Sequence, residues 1–172
     1  MGLSKPNKQS RHGPASNQAG SRVFLCLEDL LACYGRTASG RHAILAPGRA
    51  PLTYGALWSR ANDLVRGLRS CGVGRSDRVA VVLPDGPDTA VAIIAVAAGA
   101  VCVPLHPGFA ADEWRRYFDD LRVAALLTRA DVDSASRGVA YSLGIPVIDL
   151  SPRPSDGLGA FSLVCSAARC GL

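Results

Sequence analysis

Apolar residues recur along the chain with two periods, and the change of period divides the sequence. The clearest helix is predicted over residues 55–71, because its apolar side chains share one stripe of a 3.6-residue repeat. That stripe consists of Leu57, Ala61, Leu64, Leu68 and Cys71. Gly72 is placed to end this helix in the left-handed conformation. Upstream, residues 23–34 predict a shorter helix ended by Gly35, and residues 42–54 predict a hairpin.

Beyond Gly72 the pattern changes to strands that alternate with helices. Short apolar runs rich in valine are typical of parallel strands that are buried on both faces. The predicted strands are 78–83, 101–105, 123–128 and 146–150, and the predicted helices are 88–98, 110–121 and 132–143. Alternation with short connections predicts an α/β fold with a mainly parallel, doubly wound (Rossmann-like) sheet. The short helix and the hairpin precede that sheet.

Composition divides the 172 residues into three parts. Residues 1–22 are rich in Ser, Asn, Gln and Gly, and they predict a disordered basic tail. Residues 23–150 form one α/β subdomain, and residues 151–172 predict an irregular C-terminal tail. Four basic residues and no acid fall in the first part, so the net charge of +5 lies mostly there. The remaining residues are nearly neutral, which argues against nucleic acid as a partner.

The cysteines and the apolar runs give the expected location. None of the six cysteines forms a C-x-x-C pair, and most lie in apolar runs, so reduced core cysteines are predicted. A pair between Cys165 and Cys170 is the alternative. No secretory signal is visible. The uncharged stretch 89–108 contains Gly99 and Pro104 and predicts a helix followed by a strand, not a membrane span. A cytoplasmic protein is therefore expected.

Candidate chemistry lies where the predicted strands end, because open α/β sheets bind ligands beyond those ends. His106 follows a buried strand and is the one candidate for a substrate contact or a general acid or base. The alternative is a strand-end histidine that bonds the backbone. Asp85 is expected to cap the next helix. Charged residues between 112 and 120 are expected to form an exposed face of weak ion pairs.

Lysine chemistry is excluded from the predicted folded region. Lys5 and Lys8 are the only lysines of the chain, and both lie in the predicted tail. The Walker pattern G-x-x-x-x-G-K-[ST] is accordingly absent, and no zinc-ligand spacing is visible. We therefore predict no catalytic and no metal-binding residue.

Four segments in a fixed order resemble one enzyme family. They are Pro-Leu-Thr-Tyr-Gly-Ala-Leu at 51–57, Gly-Val-Gly-Arg-Ser-Asp-Arg-Val-Ala-Val-Val-Leu-Pro at 72–84, Ala-Ala-Gly-Ala-Val-Cys-Val-Pro-Leu-His-Pro at 97–107 and the apolar run 123–128. Together they resemble the N-terminal part of the AMP-forming acyl-CoA synthetases of the adenylate-forming superfamily. The resemblance covers about residues 23–150 and implies an incomplete N-terminal subdomain of a larger fold.

The resemblance implies ATP-dependent activation of a carboxylic acid to an acyl-adenylate, followed by transfer to coenzyme A. ATP, Mg and CoA are the implied cofactors, and a carboxylic acid is the implied substrate. The family's Ser/Thr/Gly-rich phosphate loop, its magnesium-binding acid and its C-terminal catalytic lysine have no counterpart in these residues. No catalytic residue is therefore carried over, and the family varies at the position of His106.

These departures set three expectations. The chain is expected to bind none of the cofactors alone and to lack activity alone, as a truncated member, a split-gene product or a fragment. A free-standing Rossmann-like module that binds a small ligand is one alternative. An interaction module that presents an open sheet edge to a complementing chain is another.

Overall fold

The computed structural model describes residues 26–132 and 135–166. Its elements are α1 (Leu27–Thr37), β1 (His42–Ile44), β2 (Leu52–Thr53), α2 (Tyr54–Ser70), β3 (Arg78–Val82), α3 (Pro87–Gly99), β4 (Val101–Pro104), α4 (Ala111–Asp120), β5 (Ala125–Thr128), α5 (Ala135–Ser142), β6 (Val147–Pro152), a 3₁₀ turn (Pro154–Asp156) and β7 (Phe161–Cys165). The predicted hairpin, helices and four parallel strands are all present. The predicted disorder of residues 1–22 lies outside the described residues.

Five strands form one mixed sheet in the order β4-β3-β5-β6-β7. Strands β3, β4, β5 and β6 are parallel, and β7 runs antiparallel to β6. Strands β1 and β2 form a separate antiparallel hairpin. Helices α1, α2 and α3 pack together on one face of the sheet, while α4 and α5 cover the other. The doubly wound α/β fold is therefore confirmed.

Successive side chains of the central strands pack alternately into two separate hydrophobic layers. Val79 and Val81 of β3 pack in the layer beneath α1, α2 and α3. Ala80 and Val82 pack in the layer beneath α4 and α5, where Trp114 is fully buried. This two-residue period explains why the strands are apolar throughout, since both of their faces are covered.

Helix α2 begins and ends with local hydrogen bonds. The Oγ1 atom of Thr53 accepts the N–H of Ala56 at 3.3 Å, which caps the first turn. At the other end, Gly72 has φ of 80° and donates to the carbonyl of Arg69 at 2.9 Å. Val73 donates to the carbonyl of Leu68 at 3.0 Å, which completes a Schellman ending. The predicted role of Gly72 is confirmed.

Two other glycines, one in α1 and one in α3, lie directly against α2. Helix α1 continues past Gly35 to Thr37, and a Cβ at Gly35 would lie 2.7 Å from the Cβ of Trp58. Gly99 is the last residue of α3, and a Cβ there would lie 2.5 Å from a methyl group of Val65. Both glycines therefore permit close packing of a helix against α2, a role that spacing along the sequence does not reveal.

The segment after Leu150 is more regular than predicted. Strand β6 continues to Pro152, and residues 161–165 form β7, so the irregular tail is wrong for these residues. Phe161 and Leu163 face the core layer beneath α2, whereas Ser162 and Val164 are exposed. The sequence hides this alternation, because the exposed positions Val164 and Cys165 are also apolar.

The cysteines also differ from the prediction. Cys71 and Cys165 form a disulfide with their Cα atoms 5.9 Å apart, so the prediction of reduced cysteines is wrong for this pair. Cys26 and Cys102 carry free thiols. Cys170, the alternative partner of Cys165, lies outside the described residues. In the described part of the chain, no helix combines the length and apolarity needed to cross a bilayer.

Candidate functional site

The candidate site is the carboxyl edge of the sheet between β3 and β5. Strand β4 follows β3 in the chain and lies on one side of it, whereas β5 lies on the other. The winding therefore reverses between β3 and β5, and such a reversal opens a crevice at the strand ends. Residues 83–86, which follow β3, lie at this edge, as do Thr128 at the end of β5 and Arg129 directly after it.

The N-terminus of α3 faces this edge, and a proline determines its cap. Pro87 is the first helical residue, so the cap falls on the residue directly before it. That residue is Gly86, whose φ of 155° disfavours any side chain. Asp85 is exposed in the preceding loop, so its predicted capping role is wrong.

Asp88, in the first turn of α3, joins three segments that are distant in sequence. Its Oδ2 atom lies 3.3 Å from Nη1 of Arg49, in the loop of the hairpin. Its Oδ1 atom accepts the N–H of Gly159 at 2.9 Å, in the loop that leads into β7. Gly159 has φ of 72°, and a Cβ there would lie 2.6 Å from a methyl group of Val91. The carboxylate therefore holds two loops against α3.

Two arginines at this edge are already paired with carboxylates. Arg129 donates from Nε to Oδ1 of Asp131 at 2.8 Å and from Nη2 to Oδ2, which raises the pKa of Arg129 and lowers that of Asp131. Arg137 of α5 donates to both carboxylate oxygens of Asp149 on β6, and this pairing raises its pKa. Arg137 also donates to the carbonyl of Arg129 at 3.1 Å, so it connects the ends of β5 and β6.

Sequence reasoning identified the strand ends but not most of these residues. Asp88, Arg137 and Asp149 carry no motif, and their partners lie 8 to 71 residues away along the chain. Thr128 was identified only as a strand end. It is 1% exposed, and its Oγ1 atom has no hydrogen-bond partner. An unsatisfied buried hydroxyl is costly, and nothing in the sequence signals it.

His106 lies at the end of β4, outside this group. It is exposed, and its Nδ1 atom accepts the N–H of Gly108 at 3.1 Å. Its ring meets that of Phe109 edge-on, with the centroids 6.2 Å apart. This geometry matches the alternative of a strand-end histidine that bonds the backbone. A substrate contact by His106 stays a prediction.

The charged face of α4 differs from its prediction. The Oε2 atom of Glu113 accepts the N–H of Ala110 at 2.8 Å, so this carboxylate caps the helix. Arg115 donates to the hydroxyl of Ser142 on α5 at 3.3 Å. Among the described residues, no ion pair forms within 112–120, so the expected network of ion pairs is wrong.

The described residues of this edge do not fit a magnesium-bound triphosphate. Helix N-termini bind phosphate through free N–H groups, but Pro87 has none and Asp88 places a negative charge there. Arg49, Arg129 and Arg137 are each engaged by a carboxylate. Residues 26–132 and 135–166 contain no group of three His, Cys, Asp or Glu side chains arranged to hold a metal ion. We therefore derive no chemical step through ATP or magnesium at this edge.

Comparison with known proteins gives a consistent family. The model of the AMP-binding enzyme family matches residues 32–156. A probable CoA ligase of Humulus lupulus is 31% identical over 139 residues, which are 80% of this chain and 26% of that protein. Acetoacetyl-coenzyme A synthetase of Rhizobium meliloti (strain 1021) is 31% identical over 127 residues, 66% of this chain and 19% of that protein.

A solved structure agrees with these relatives. A chain described as a long-chain-fatty-acid CoA ligase from Rhodopseudomonas palustris CGA009 superposes with a TM-score of 0.60 and 28% identity. The match covers 68% of this chain and 30% of that one. The matched part of the chain thus spans 19% to 30% of these proteins. From the family match and the shared fold, the chain belongs to the AMP-binding enzymes of the adenylate-forming superfamily.

Proposed function

We propose that these residues form the N-terminal segment of an AMP-forming acyl-CoA ligase. The complete enzyme would use ATP to convert a carboxylic acid to an acyl-adenylate and then transfer the acyl group to the thiol of coenzyme A. One observation carries the proposal. The chain matches the AMP-binding family over residues 32–156 and aligns with a CoA ligase over 80% of its length.

The proposed role of the described residues is structural. They provide the sheet, its two helical layers and the paired charges at its carboxyl edge. Adenylation brings a carboxylate against a triphosphate, so it requires unpaired cations and oriented donors around the reacting groups. The arginines at this edge are occupied, which supports the second part of the proposal, that the 172 residues alone are inactive.

Coenzyme A is the proposed acceptor, although not every relative carries the name of a CoA ligase. Tyrocidine synthase 3 of Brevibacillus parabrevis is 36% identical over 113 residues, 65% of this chain. The CoA ligase alignment extends over more of the chain, 139 residues against 113. A cytoplasmic location is part of the proposal. The carboxylic acid is not specified further by the described residues.

Exchange of pyrophosphate into ATP tests the proposal. The 172-residue chain is assayed with short, long and aromatic carboxylic acids, alone and fused to the remainder of a matched CoA ligase. We expect background exchange from the chain alone and acid-dependent exchange from the fusion. The remainder without this chain serves as control. Turnover by the chain alone would contradict its inactivity, and a fusion that forms acyl-adenylate without CoA-dependent AMP release would contradict the acceptor.

An interaction module is the second candidate, because one observation favours it. Strand β7 lies at the edge of the sheet, and Val164 on its outer face is 62% exposed. An uncovered edge strand can pair with another chain. A monomer in size-exclusion chromatography that does not bind the dye ANS would count against this candidate.

A further inference from the structure

We infer that Cys71 and Cys165 are a reversible thiol–disulfide pair, which exchanges with small disulfides such as oxidised glutathione and fastens strand β7 to helix α2. The two residues are 94 positions apart in the chain, and the fold brings their Cα atoms to 5.9 Å. That separation is typical of a disulfide. The inference rests on the described residues alone and does not depend on the proposed enzymatic activity.

Cys71 is the fixed member of the pair. It is the C-cap of α2, and its N–H donates to the carbonyls of Gly67 and Leu68, each at 3.1 Å. Leu68 is fully buried in the layer beneath α2, so this end of the helix is anchored in the core. The side chain of Cys71 is itself half-buried.

Cys165 is the accessible member of the pair. It is the last residue of β7 and is exposed, so a small thiol can reach its sulfur. Strand β7 is bonded to β6 on one side only. Toward α2, it packs through Leu163, whose side chain lies where a Cβ of Gly67 would be. In addition to this contact and the ladder with β6, the disulfide links the strand covalently to the end of α2.

Exchange with glutathione balances without any further reactant. One cysteine thiolate attacks oxidised glutathione, forms a mixed disulfide and releases one glutathione thiolate. The second cysteine thiolate then attacks the mixed disulfide, closes the bond between Cys71 and Cys165 and releases the second glutathione. The protein loses two protons and two electrons, which are carried by the two molecules of reduced glutathione. Reduction is the same sequence in reverse.

The bond controls how tightly β7 is held. With the disulfide closed, the strand cannot separate from α2 at its C-terminal end. With the pair reduced, it depends on the ladder with β6, on the packing of Phe161 and Leu163 beneath α2, and on the flanking hydrogen bonds of Gly159 and Ser166. Short edge strands with few buried contacts open locally at low free energy. Reduction is therefore expected to loosen β7 and to leave β3 and β5 unchanged.

Peptide mapping and amide exchange test the inference on the 172-residue chain. After equilibration in oxidised glutathione and trapping with an alkylating reagent, the peptides that contain Cys71 and Cys165 should be linked. Reduced glutathione should release them. Reduction should also speed amide exchange across residues 161–165 by about 10-fold or more, with no change across 78–82.

Two variants separate this pair from the other thiols. Cys165→Ser should exchange rapidly across β7 in both buffers, whereas Cys102→Ser should respond to glutathione as the unsubstituted chain does. The mapping needs no variant, so a poorly folded variant does not obscure it. A bond between Cys165 and Cys170, or no bond in oxidised glutathione, would overturn the inference. Equal exchange across β7 in the oxidised and reduced chains would also overturn it.

Discussion

The two edge strands of the sheet are protected in different ways. Val101 and Leu105 donate toward β3, to the carbonyls of Asp77 and Val81 at 2.9 Å and 3.0 Å. Because backbone N–H groups alternate along a strand, the backbone nitrogens of Cys102 and Pro104 face the open side of β4. Pro104 has no N–H, so within β4 the N–H of Cys102 is the one donor that this edge offers to another strand. The sequence of β4 itself therefore discourages pairing with another strand.

Strand β7 has no such protection in its own sequence. Ser166 donates to the carbonyl of Val147 at 2.9 Å, so by alternation Phe161, Leu163 and Cys165 direct their N–H groups to the open side. The strand contains neither proline nor a charged residue. It is held in place by attachments: the disulfide, the contact with α2 and the bond from Gly159 to Asp88. One edge is thus blocked by its sequence, and the other is restrained by its connections.

Gly159→Ala should break the attachment of β7 with the largest effect. The new Cβ would meet the side chain of Val91 at 2.6 Å, and the backbone has φ of 72°. Strain and overpacking together should lower the free energy of unfolding by about 2–4 kcal/mol in urea denaturation. Gly157→Ala is the matched control, because its φ is 92° but its Cβ would meet only Arg60, at 4.0 Å. Equal losses would show that the contact with Val91 is not important.

The cysteines of the two edges should differ in reactivity. Burial raises the pKa of the Cys102 thiol on β4 from 9.0 to about 11. At pH 8, its thiolate fraction should therefore be about 100-fold lower than that of a thiol with the ordinary value. Alkylation of half-buried Cys102 should therefore be slower than alkylation of exposed Cys165 in the reduced chain. The rate for Cys102 should rise tenfold per pH unit up to pH 10. Similar rates at the two edges would contradict the difference in burial.

Asp88→Asn should weaken the same attachment by less than Gly159→Ala. The asparagine loses the ion pair with Arg49. It keeps the hydrogen bond from the N–H of Gly159 only when its amide oxygen faces that group. We expect a loss of about 1–2 kcal/mol in unfolding free energy, since the carboxylate is only partly exposed. Faster amide exchange at Gly159 should accompany it. Asp85→Asn, in the exposed loop nearby, should change stability by less than about 0.5 kcal/mol. If both variants lost the same unfolding free energy, the contacts of Asp88 would not hold the two loops against α3.

Val164→Lys should have the smallest effect on stability and should instead change association. The side chain is 62% exposed, so its replacement should alter the unfolding free energy by less than about 0.5 kcal/mol. A lysine on an open edge strand disfavours pairing with another chain, so light scattering at high concentration should fall. Val101→Lys on β4 is the control and should leave scattering unchanged. If Val101→Lys lowered the scattering and Val164→Lys did not, β4 would be the edge that mediates association.

The sequence predicted the parts of the fold that depend on local patterns. Strands β3 and β5 lie in uninterrupted apolar runs, and Gly72 follows a clear helical stripe, so both could be predicted. Strand β7 follows a stretch that contains two prolines, and its exposed Val164 is apolar, so no regular pattern marks it as a strand. The disulfide and the contacts of Asp88 join positions 39 to 94 residues apart. Such pairings depend on the complete fold, and no short-range pattern encodes them.

The central claim is that these residues have a structural role and do not form a nucleotide-binding site by themselves. Isothermal titration of the 172-residue chain with magnesium-ATP tests it most directly. The paired arginines and the proline at the start of α3 predict no saturable binding up to millimolar nucleotide. A dissociation constant below a millimolar, abolished by Arg129→Gln or Arg137→Gln and retained in Arg115→Gln, would contradict the account and favour a free-standing ligand-binding module.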